Sequence, residues 1–316
     1  MSSETISIVV TIDDKYVQHC AVMLTSLFTF NRHLDFKIYV IYDTIRLKNH
    51  KRLQLTVEKY GYSVLFIQNN NQVFEEAFIS DHISKATYLR LLIPDLVPQM
   101  LKKVLFLDAD IIVRSKIDDL WHINIDNYSH AAVENPLITE AFKESLGMQG
   151  KSFYFNAGVL LINLAYWRNN SITEKSIWFL KNHIEKIIYW DQDILNVLLE
   201  NQWRVAPTTW NAQEAIFTKK VSCFDLNIPE EIFGELQKNP CIIHFTGSDK
   251  PWFIENTHPF KEEYYEYLTL TYWKSYKPIS RKPSFKQRVH RKILKGLNFF
   301  KIVNIRELCF KHLFYS

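Results

Sequence analysis

Apolar residues recur alternately with the spacing of strands and of helices over the first seventy positions of the chain. Short runs rich in β-branched residues predict strands, and segments with apolar positions three or four apart predict helices. The predicted elements are strands at residues 6–12, 36–41 and 64–67 and helices at residues 16–30 and 48–60, the second closed by Gly61. Because this order is β-α-β-α-β, it predicts a parallel sheet covered by helices, with ligands bound at the carboxyl ends of the strands.

The rest of the chain mixes the same two patterns without an internal repeat. A helical segment at residues 85–92 stops before Pro94, because proline disfavours the helical conformation in the residue that precedes it. Further strands are predicted at residues 104–107, 131–133, 158–162 and 241–244, and further helices at residues 172–183, 192–199 and 260–276. No apolar run is long enough to predict a membrane-spanning helix. Two prolines within residues 277–283 predict a boundary between a main domain, residues 1–276, and a tail, residues 277–316.

Charge is distributed unevenly along the chain. The net charge is +4, yet residues 281–316 carry ten Lys or Arg and a single acid, which leaves the preceding 280 residues at −5. A nucleic-acid-binding protein usually spreads basic residues over a face of its main domain, so no nucleic-acid partner is expected. The four cysteines form no Cys-x-x-Cys pair, and no basic segment precedes the first apolar run. We therefore expect reduced thiols, no zinc site and a cytoplasmic protein.

Two aspartates follow the predicted strand at residues 104–107. Asp108 and Asp110 are two residues apart, so in an extended segment they point to the same side. Two carboxylates in that position repel each other unless a cation lies between them. Oxygen ligands of this kind suit Mg²⁺ or Mn²⁺ bridging to a diphosphate. The alternative is that both aspartates merely end the strand, which is the commoner meaning of so short a motif.

A histidine ends the predicted strand at residues 241–244 and precedes a glycine and a lysine. His244 supplies a nitrogen ligand that Mn²⁺ accepts, Gly247 allows close approach of the backbone to a phosphate, and Lys250 adds positive charge. The alternatives are a buried structural histidine and a simple turn. The chain contains no Gly-x-Gly-x-x-Gly or Walker loop, so other positive charge must hold any bound phosphate.

Three further segments have two interpretations each. Asp191 and Gln192 stand at the start of a predicted helix, where we interpret Asp191 as the N-cap in preference to a sugar ligand. Asn156 either hydrogen-bonds a hydroxylated substrate or occupies a turn. The segment at residues 11–16 either places its acids against a ribose or base with Tyr16 stacking, or caps the following helix.

Together these segments resemble glycosyltransferase family 8, most closely the bacterial lipopolysaccharide α-galactosyl- and α-glucosyltransferases. The resemblance covers about residues 6–275 in one order. The segments that carry it are residues 11–16, 87–91, 104–110, 154–164, 167–168, 191–196 and 244–252. It implies a GT-A-type, Rossmann-like mixed α/β sheet flanked by helices, a UDP-sugar donor, a Mn²⁺ ion with Mg²⁺ as a substitute, and retention of anomeric configuration.

The same resemblance assigns roles to individual residues. The implied metal ligands are Asp108, Asp110 and His244. The implied contacts to the nucleotide and diphosphate are Thr11, Ile12, Asp13, Lys15, Tyr16, Asp108, Ala109, Gly247, Lys250 and Trp252. The implied contacts to the donor sugar are Arg90, Glu134, Asn156, Ala157, Asp191 and Gln192, the last two being the catalytic residues. Glu134 stands where relatives often carry an aspartate. Since Gln192 is a poor nucleophile and no acid stands out as one, we expect front-face attack of the acceptor.

The basic tail predicts a membrane partner. Its apolar positions 285, 289, 293 and 297 are four apart and alternate with basic residues, as in helices that lie on anionic membranes. The alternative is a solvated helix that packs on its own domain. With a glycolipid acceptor such as lipopolysaccharide, we expect a cytoplasmic enzyme peripheral on the inner face of the cytoplasmic membrane. The alternatives are a protein or soluble glycan acceptor, and a catalytically silent glycan- or lipid-binding module.

Overall fold

The computed structural model describes residues 4–70, 85–218 and 221–281, and its first five elements follow the predicted order. They are β1 (Thr5–Thr11), α1 (Val17–Phe30), β2 (Asp35–Tyr42), α2 (Leu47–Glu58) and β3 (Ser63–Gln68). β2 pairs in parallel with both β1 and β3, which confirms the predicted parallel opening. The turn after α2 places Gly61 at a φ of 84°, a conformation that glycine adopts without steric cost.

Four more strands extend this sheet beyond β1 and make it mixed. They are β4 (Lys103–Leu107), β6 (His130–Glu134), β7 (Phe155–Asn163) and β8 (Arg204–Val205). The strand order is β3-β2-β1-β4-β7-β6-β8. β4 is parallel to β1, whereas β7 is antiparallel to both of its neighbours, β4 and β6. Every residue of β7 except the last is buried, which is why residues 157–162 are a continuous apolar run rather than an alternating one.

The pairing of β6 with β7 is irregular at one end. Ala132 lies opposite Leu160, whereas Glu134 lies opposite Phe155. Two steps along β6 therefore match five steps along β7, so β7 accommodates three extra residues there. A bulge of this kind takes backbone groups out of the strand ladder and leaves them to other partners.

A second, smaller sheet contains β5 (Ile111–Val113), β9 (Ala212–Gln213) and β10 (Ile242–His244), in the order β5-β10-β9. Residues 108–110 connect β4 of the large sheet directly to β5 of the small one. The Asp108 N–H donates to the Gly158 carbonyl at 2.8 Å, and the Phe245 N–H donates to the Asp110 carbonyl at 3.1 Å. Each end of this link is thus hydrogen-bonded to a different sheet.

The remaining helices cover the sheets and differ from the prediction in two places. The α-helices are α3 (Ile93–Leu96), α4 (Asp118–Trp121), α5 (Glu140–Leu146), α6 (Leu164–Asn169), α7 (Ile172–Asn182), α8 (Trp190–Leu198), α9 (Glu230–Lys238) and α10 (Lys261–Thr269). The 3₁₀ helices are Lys85–Leu92, Ile184–Lys186, Thr208–Asn211 and Glu214–Phe217. The predicted helix at residues 85–92 is therefore 3₁₀, and Pro94 lies in the first turn of α3. α10 ends seven residues early, because the Thr271 hydroxyl binds the Leu268 carbonyl and the Trp273 N–H in place of helical bonds.

The main core on one side of the large sheet is formed by strand residues packed against α6, α7, α8 and the first 3₁₀ helix. Its largest fully buried side chains include Trp167, Phe106 and Phe155. This packing is what holds α8 against the end of β7, since burial of apolar surface is the main favourable contribution to folding. The start of α8 and the start of β7 are consequently brought together.

The described residues divide into two compact units. The first comprises those within 1–251 and 257–276, and the second comprises residues 252–256 and 277–281. Within the second unit, the Ile254 N–H donates to the Ile279 carbonyl at 3.0 Å, and the Ile279 N–H donates to the Trp252 carbonyl at 3.1 Å. In the described ranges, the helices are all too short or too polar to cross a membrane. The predicted tail helix at residues 284–300 lies outside the described residues.

Candidate active site

The three predicted metal ligands lie together beyond the carboxyl end of β4. Asp108 and Asp110 occupy the link between β4 and β5, and His244 is the last residue of β10. His244 Nε2 lies 3.3 Å from Asp110 Oδ1 and 3.7 Å from Asp108 Oδ2. One donor atom from each of the three residues lies within 4.8 Å of the other two. The fold therefore brings together side chains that are more than 130 positions apart in the sequence.

Two asparagines fix the orientation of the His244 ring. The Asn156 Oδ1 accepts the Gly158 N–H at 3.0 Å and the Asn211 Nδ2 at 2.9 Å. Because the amide nitrogen of Asn211 is used there, its Oδ1 faces His244 Nδ1, at 2.9 Å. An oxygen acceptor in that position requires a proton on Nδ1. The other ring nitrogen, Nε2, is thereby the one directed at the two carboxylates.

These residues fit a divalent cation. Oxygen and nitrogen ligands at about 2.1 Å from an octahedral ion lie about 3 Å from one another, close to the 3.3 Å and 3.7 Å found here. A metal-bound histidine usually donates its other N–H to a hydrogen-bond acceptor, as His244 does to Asn211. Two carboxylates with one imidazole form a mixed set that Mn²⁺ and Mg²⁺ accept, although Mg²⁺ favours an all-oxygen set.

Two cations flank the carboxylates. Lys250 Nζ lies 2.5 Å from Asp110 Oδ2 and donates to the Phe245 carbonyl at 2.6 Å. Arg90 Nη2 lies 2.5 Å from Asp108 Oδ1. Burial by itself would raise the pKa of Asp110, but the charges of Lys250 and His244 outweigh it and hold that pKa well below its usual range. For Asp108, burial prevails over the opposing charge of Arg90 and raises the pKa.

Arg90 also binds Asp191, which corrects the predicted role of that aspartate as an N-cap. Arg90 Nη1 lies 2.8 Å from Asp191 Oδ2, and its guanidinium lies over the ring of Phe106 with the carbon 4.2 Å from the ring centroid. α8 begins at Trp190 and its N-cap position is Tyr189, so Asp191 lies inside the helix and is not the N-cap. Burial raises the pKa of Asp191 to about 7, against the lowering effect of Arg90. Pairing with a buried cation, not the helix end, places this side chain.

Gln192 is held at both ends of its amide. Its Oε1 accepts the Ala157 N–H at 3.0 Å, and its Nε2 donates to the Tyr154 hydroxyl oxygen at 3.2 Å. The Tyr154 hydroxyl donates to Asp193 Oδ1 at 2.5 Å. Asp193 Oδ2 accepts the backbone N–H groups of residues 188 and 189 at 2.7 Å and 2.6 Å. The bulge in β7 makes this possible, because it frees the Ala157 N–H from the strand ladder.

The predicted nucleotide segment forms a tight turn after β1. Asp13 Oδ1 accepts the N–H groups of Lys15 and Tyr16 at 2.9 Å and 3.0 Å. Burial, with the negative charges of Asp110, Asp13 and Asp108, raises the pKa of Tyr16, so this ring lies in the field of the acidic cluster. Asp14 does not cap α1: its carboxylate accepts from the N–H of Arg46, at the start of α2. The other predicted contacts of this segment stand at the end of β1, namely Thr11 and Ile12.

Four further predicted residues have different surroundings. Ala109 separates the two aspartates and is buried. Gly247 has a φ of 69°, which favours glycine. Glu134 ends β6, its backbone carbonyl accepts from the Gln213 side chain, and burial raises its pKa. Trp252 belongs to the second unit.

The sequence did not single out every residue that shapes the site. Asn211 is the last residue of a 3₁₀ helix directly before β9, and no motif or periodicity marks it. Tyr154 and Asp193 lie within the segments 154–164 and 191–196 that carry the family resemblance. Only their contacts with Gln192 and with each other mark them as residues that shape the site. Gly158 has no room for a side chain: a β-carbon there would lie 2.1 Å from His244 Cε1 and 2.8 Å from Asp108 Oδ2.

The large sheet is mixed and Rossmann-like, and its central strand ends in an Asp-x-Asp link that faces a histidine. These features define the class of the protein: it has the fold of the GT-A glycosyltransferases. Residues 7–256 match the family model described as glycosyl transferase family 8. The chain belongs to that family, and this confirms the fold class and the family that the motifs indicated.

Individual relatives agree with this assignment. The chain is 36% identical over 279 residues to general stress protein A of Bacillus subtilis (strain 168), covering 85% of this chain and 95% of the relative. It is 26% identical to the lipopolysaccharide 1,2-glucosyltransferase of Escherichia coli (strain K12), covering 91% of this chain and 85% of the relative. Among solved structures, the galactosyltransferase LgtC in complex with donor and acceptor sugar analogues matches with a TM-score of 0.75 and 26% identity, covering 84% of this chain and 96% of that chain. The protein is therefore a glycosyltransferase related to lipopolysaccharide glucosyl- and galactosyltransferases.

Proposed function

We propose that the protein transfers a hexose, galactose or glucose, from a UDP-sugar to a glycan acceptor with retention of anomeric configuration. The observation that carries this proposal is the cluster of Asp108, Asp110 and His244 with Lys250 beside it. A cation can be bound by the two carboxylates and by the imidazole, whose Nε2 faces them. The lysine beside them can bind the diphosphate. In this proposal residues 1–276 form the catalytic domain.

The cluster acts on the leaving group. Asp108, Asp110 and His244 would hold Mn²⁺, or Mg²⁺, which would act as a Lewis acid towards the diphosphate. Lys250 adds a positive charge next to that position, which stabilises the negative charge that develops on the leaving phosphate. The Asp13 turn and the Gly247 turn contact the nucleotide and its phosphates. The residues assigned to this half of the site are Thr11, Ile12, Asp13, Lys15, Tyr16, Ala109, Gly247, Lys250 and Trp252.

The second half of the site receives the donor sugar. The bond from the anomeric carbon to the phosphate oxygen breaks, and its electron pair stays with UDP. The acceptor hydroxyl oxygen bonds to the same face of that carbon, and its proton passes to the phosphate oxygen just released. Gln192 supports the cationic character of the sugar with its amide oxygen, and Asp191 keeps Arg90 in place. The residues assigned to this half are Arg90, Glu134, Asn156, Ala157, Asp191 and Gln192.

Hydrolysis and transfer across a panel of UDP-sugars test this function. We expect the full chain to release UDP from UDP-galactose or UDP-glucose in the presence of Mn²⁺ and to lose at least about 10³-fold in rate with excess EDTA, since a metal supplies several kcal/mol of charge stabilisation. Product stereochemistry, read by NMR, should show the anomeric configuration of the donor. Adding a lipooligosaccharide, a soluble glycan or a peptide acceptor in parallel identifies the acceptor class.

Two results would reject parts of the proposal. A rise in melting temperature with Mn²⁺ and UDP, without turnover of any donor, would identify a silent binding module. Inverted product would exclude front-face attack. Similarity to lipopolysaccharide transferases supports a glycolipid acceptor, so transfer to peptide or soluble glycan alone would replace that part of the proposal.

We also propose that the tail at residues 277–316 binds an anionic membrane surface and keeps the enzyme peripheral on the inner face of the cytoplasmic membrane. Ile254 and Ile279, paired in the second unit, are 58% and 46% exposed. Arg281, the last described residue, lies over the ring of Phe253 at 5.2 Å. An apolar pair next to a basic side chain is the composition that favours a membrane interface.

Reversal of charge in the tail should release the protein from vesicles. Each basic residue near an anionic surface contributes about 1 kcal/mol, so five Lys or Arg to Glu changes should weaken binding to phosphatidylglycerol vesicles by roughly 10³-fold or more. The changed positions are Lys286, Arg288, Arg291, Lys292 and Lys295. A control with the same change of net charge uses exposed lysines of the main domain, Lys48, Lys51, Lys116, Lys151 and Lys175. Equal loss in both variants, measured by vesicle sedimentation, would contradict a specific role of the tail.

A further inference from the structure

We propose that Tyr154 and Asp193 are a pair of positioning residues that determine which way round the side-chain amide of Gln192 is held. The inference rests on the proposed function, because Gln192 acquires its importance there. Neither residue needs to touch the substrate. Their effect follows from hydrogen bonds whose direction is fixed at every step.

The direction is set first by Asp193. Its Oδ2 accepts two backbone N–H groups, from Ile188 and Tyr189, and its Oδ1 faces the Tyr154 hydroxyl at 2.5 Å. These two backbone N–H groups can only donate, so they favour the carboxylate form of Asp193, which has no proton to give, against the effect of burial, which raises its pKa. The Tyr154 O–H must therefore donate to Asp193. The hydroxyl oxygen of Tyr154 therefore directs a lone pair towards Gln192.

That lone pair then orients Gln192. Its only suitable partner on the amide is Nε2, which lies 3.2 Å away. At the other end, the Ala157 N–H is a fixed donor, and it lies 3.0 Å from Oε1. If the amide were reversed, its NH₂ group would face the Ala157 N–H, so two donors would oppose each other. Its oxygen would face the lone pair of the Tyr154 hydroxyl, so two acceptors would oppose each other. Both ends of the amide therefore require the same orientation.

Burial makes the arrangement strict. Tyr154 is 1% exposed and Asp193 is 0% exposed, so water cannot replace a missing partner. A buried polar group without a partner destabilises the state that contains it. The amide oxygen is thus kept against Ala157, the neighbour of Gly158, whose Cα adjoins both His244 and Asp108.

The variant Asp193→Asn tests the donor-to-acceptor direction of the hydrogen bonds between residue 193, Tyr154 and Gln192, because it reverses that direction while keeping the bonds. In this variant the two backbone N–H groups hold the new Oδ1, so the new NH₂ group faces Tyr154. The hydroxyl then accepts from residue 193 and donates to Gln192, which reverses the amide and opposes the Ala157 N–H. We expect kcat to fall by roughly 10²-fold, with the donor KM changed less than about twofold, as for a misplaced catalytic group.

Tyr154→Phe removes the hydroxyl without reversing anything, so we expect a smaller fall in kcat, about tenfold. The double variant Tyr154→Phe with Asp193→Asn should then be more active than Asp193→Asn alone, because the opposing hydroxyl is gone. A purely structural role predicts the reverse order, with the double variant the least active. Tyr62→Phe, which loses a hydroxyl bonded to the Leu34 carbonyl far from this site, should keep full kcat.

The outcomes separate this inference from the proposed function. If Gln192→Ala keeps the full rate, the role of Gln192 in the proposed function is wrong. If Gln192→Ala is impaired but Asp193→Asn keeps the wild-type kcat, or the double variant is the least active, the positioning pair is wrong and the function stands. A neutron structure gives a readout independent of activity: a deuteron between Tyr154 and Asp193 that is bonded to the tyrosine oxygen supports the pair, and one bonded to Asp193 overturns it.

Discussion

Replacing Asp108 and Asp110 together with asparagine is expected to lower sugar transfer by at least roughly 10³-fold, because the change removes two negative charges from the cation site. The same variant should no longer bind Mn²⁺ in the presence of UDP. Electron paramagnetic resonance of free Mn²⁺ measures that binding directly and without turnover. The reason is geometric as well as electrostatic, since both carboxylates lie within 3.7 Å of the single nitrogen that His244 directs at them.

A matched control changes an aspartate outside the cluster. Asp119 is exposed in α4, and Asp119→Asn alters charge without touching the site. It should keep both Mn²⁺ binding and transfer. If the double Asp108/Asp110 variant binds Mn²⁺ as tightly as the unaltered chain, the assignment of the metal ligands is wrong.

The second large effect is expected from Gly158→Ala, which changes no proposed ligand. A β-carbon at this position would lie 2.1 Å from His244 Cε1 and 2.7 Å from His244 Nδ1, distances that no pair of unbonded atoms tolerates. Either the ring or β7 must move, and both movements disturb the ligand set. We expect Mn²⁺ affinity and transfer to fall by roughly 10²-fold or more, as measured by the same resonance experiment and by UDP release.

Gly234→Ala is the corresponding control. Gly234 lies in α9, where an added β-carbon meets nothing within 4 Å. Alanine in a helix interior is favoured over glycine by about 0.5–1 kcal/mol, so this variant should be slightly more stable and fully active. Unaltered Mn²⁺ binding by Gly158→Ala would show that the histidine is not part of the metal site.

The regular part of the fold could be predicted from sequence because its signals are local. The strands that later form the centre of the sheet are short apolar runs, and the helices between them have apolar positions at helical spacing. β5 and β9 could not be predicted, since strands of three and two residues carry no periodicity. The bulge in β7 could not be predicted either, because it depends on the register between β7 and β6 and not on the sequence of β7 alone.

The site could be predicted only where a motif is compact. The two-residue spacing of Asp108 and Asp110, directly after a predicted strand, indicates a metal site. The family resemblance adds His244 as the third ligand. Asn211 carries no such signal, although it decides which nitrogen of His244 faces the carboxylates. Asp191 was interpreted wrongly as a helix cap, because its buried partner Arg90 is a hundred residues away and pairing of that kind leaves no local pattern.

The link between β4 and β5 has a mechanical consequence. Asp108 is tied by its backbone to β7 of the large sheet, and Asp110 is tied to the residue after β10 of the small one. An ion shared by the two carboxylates would therefore fasten one sheet to the other, and its binding free energy would add to the cohesion between them. Chelation should accordingly loosen β5, β9 and β10 first and leave the parallel strands β1, β2 and β3 largely unaffected.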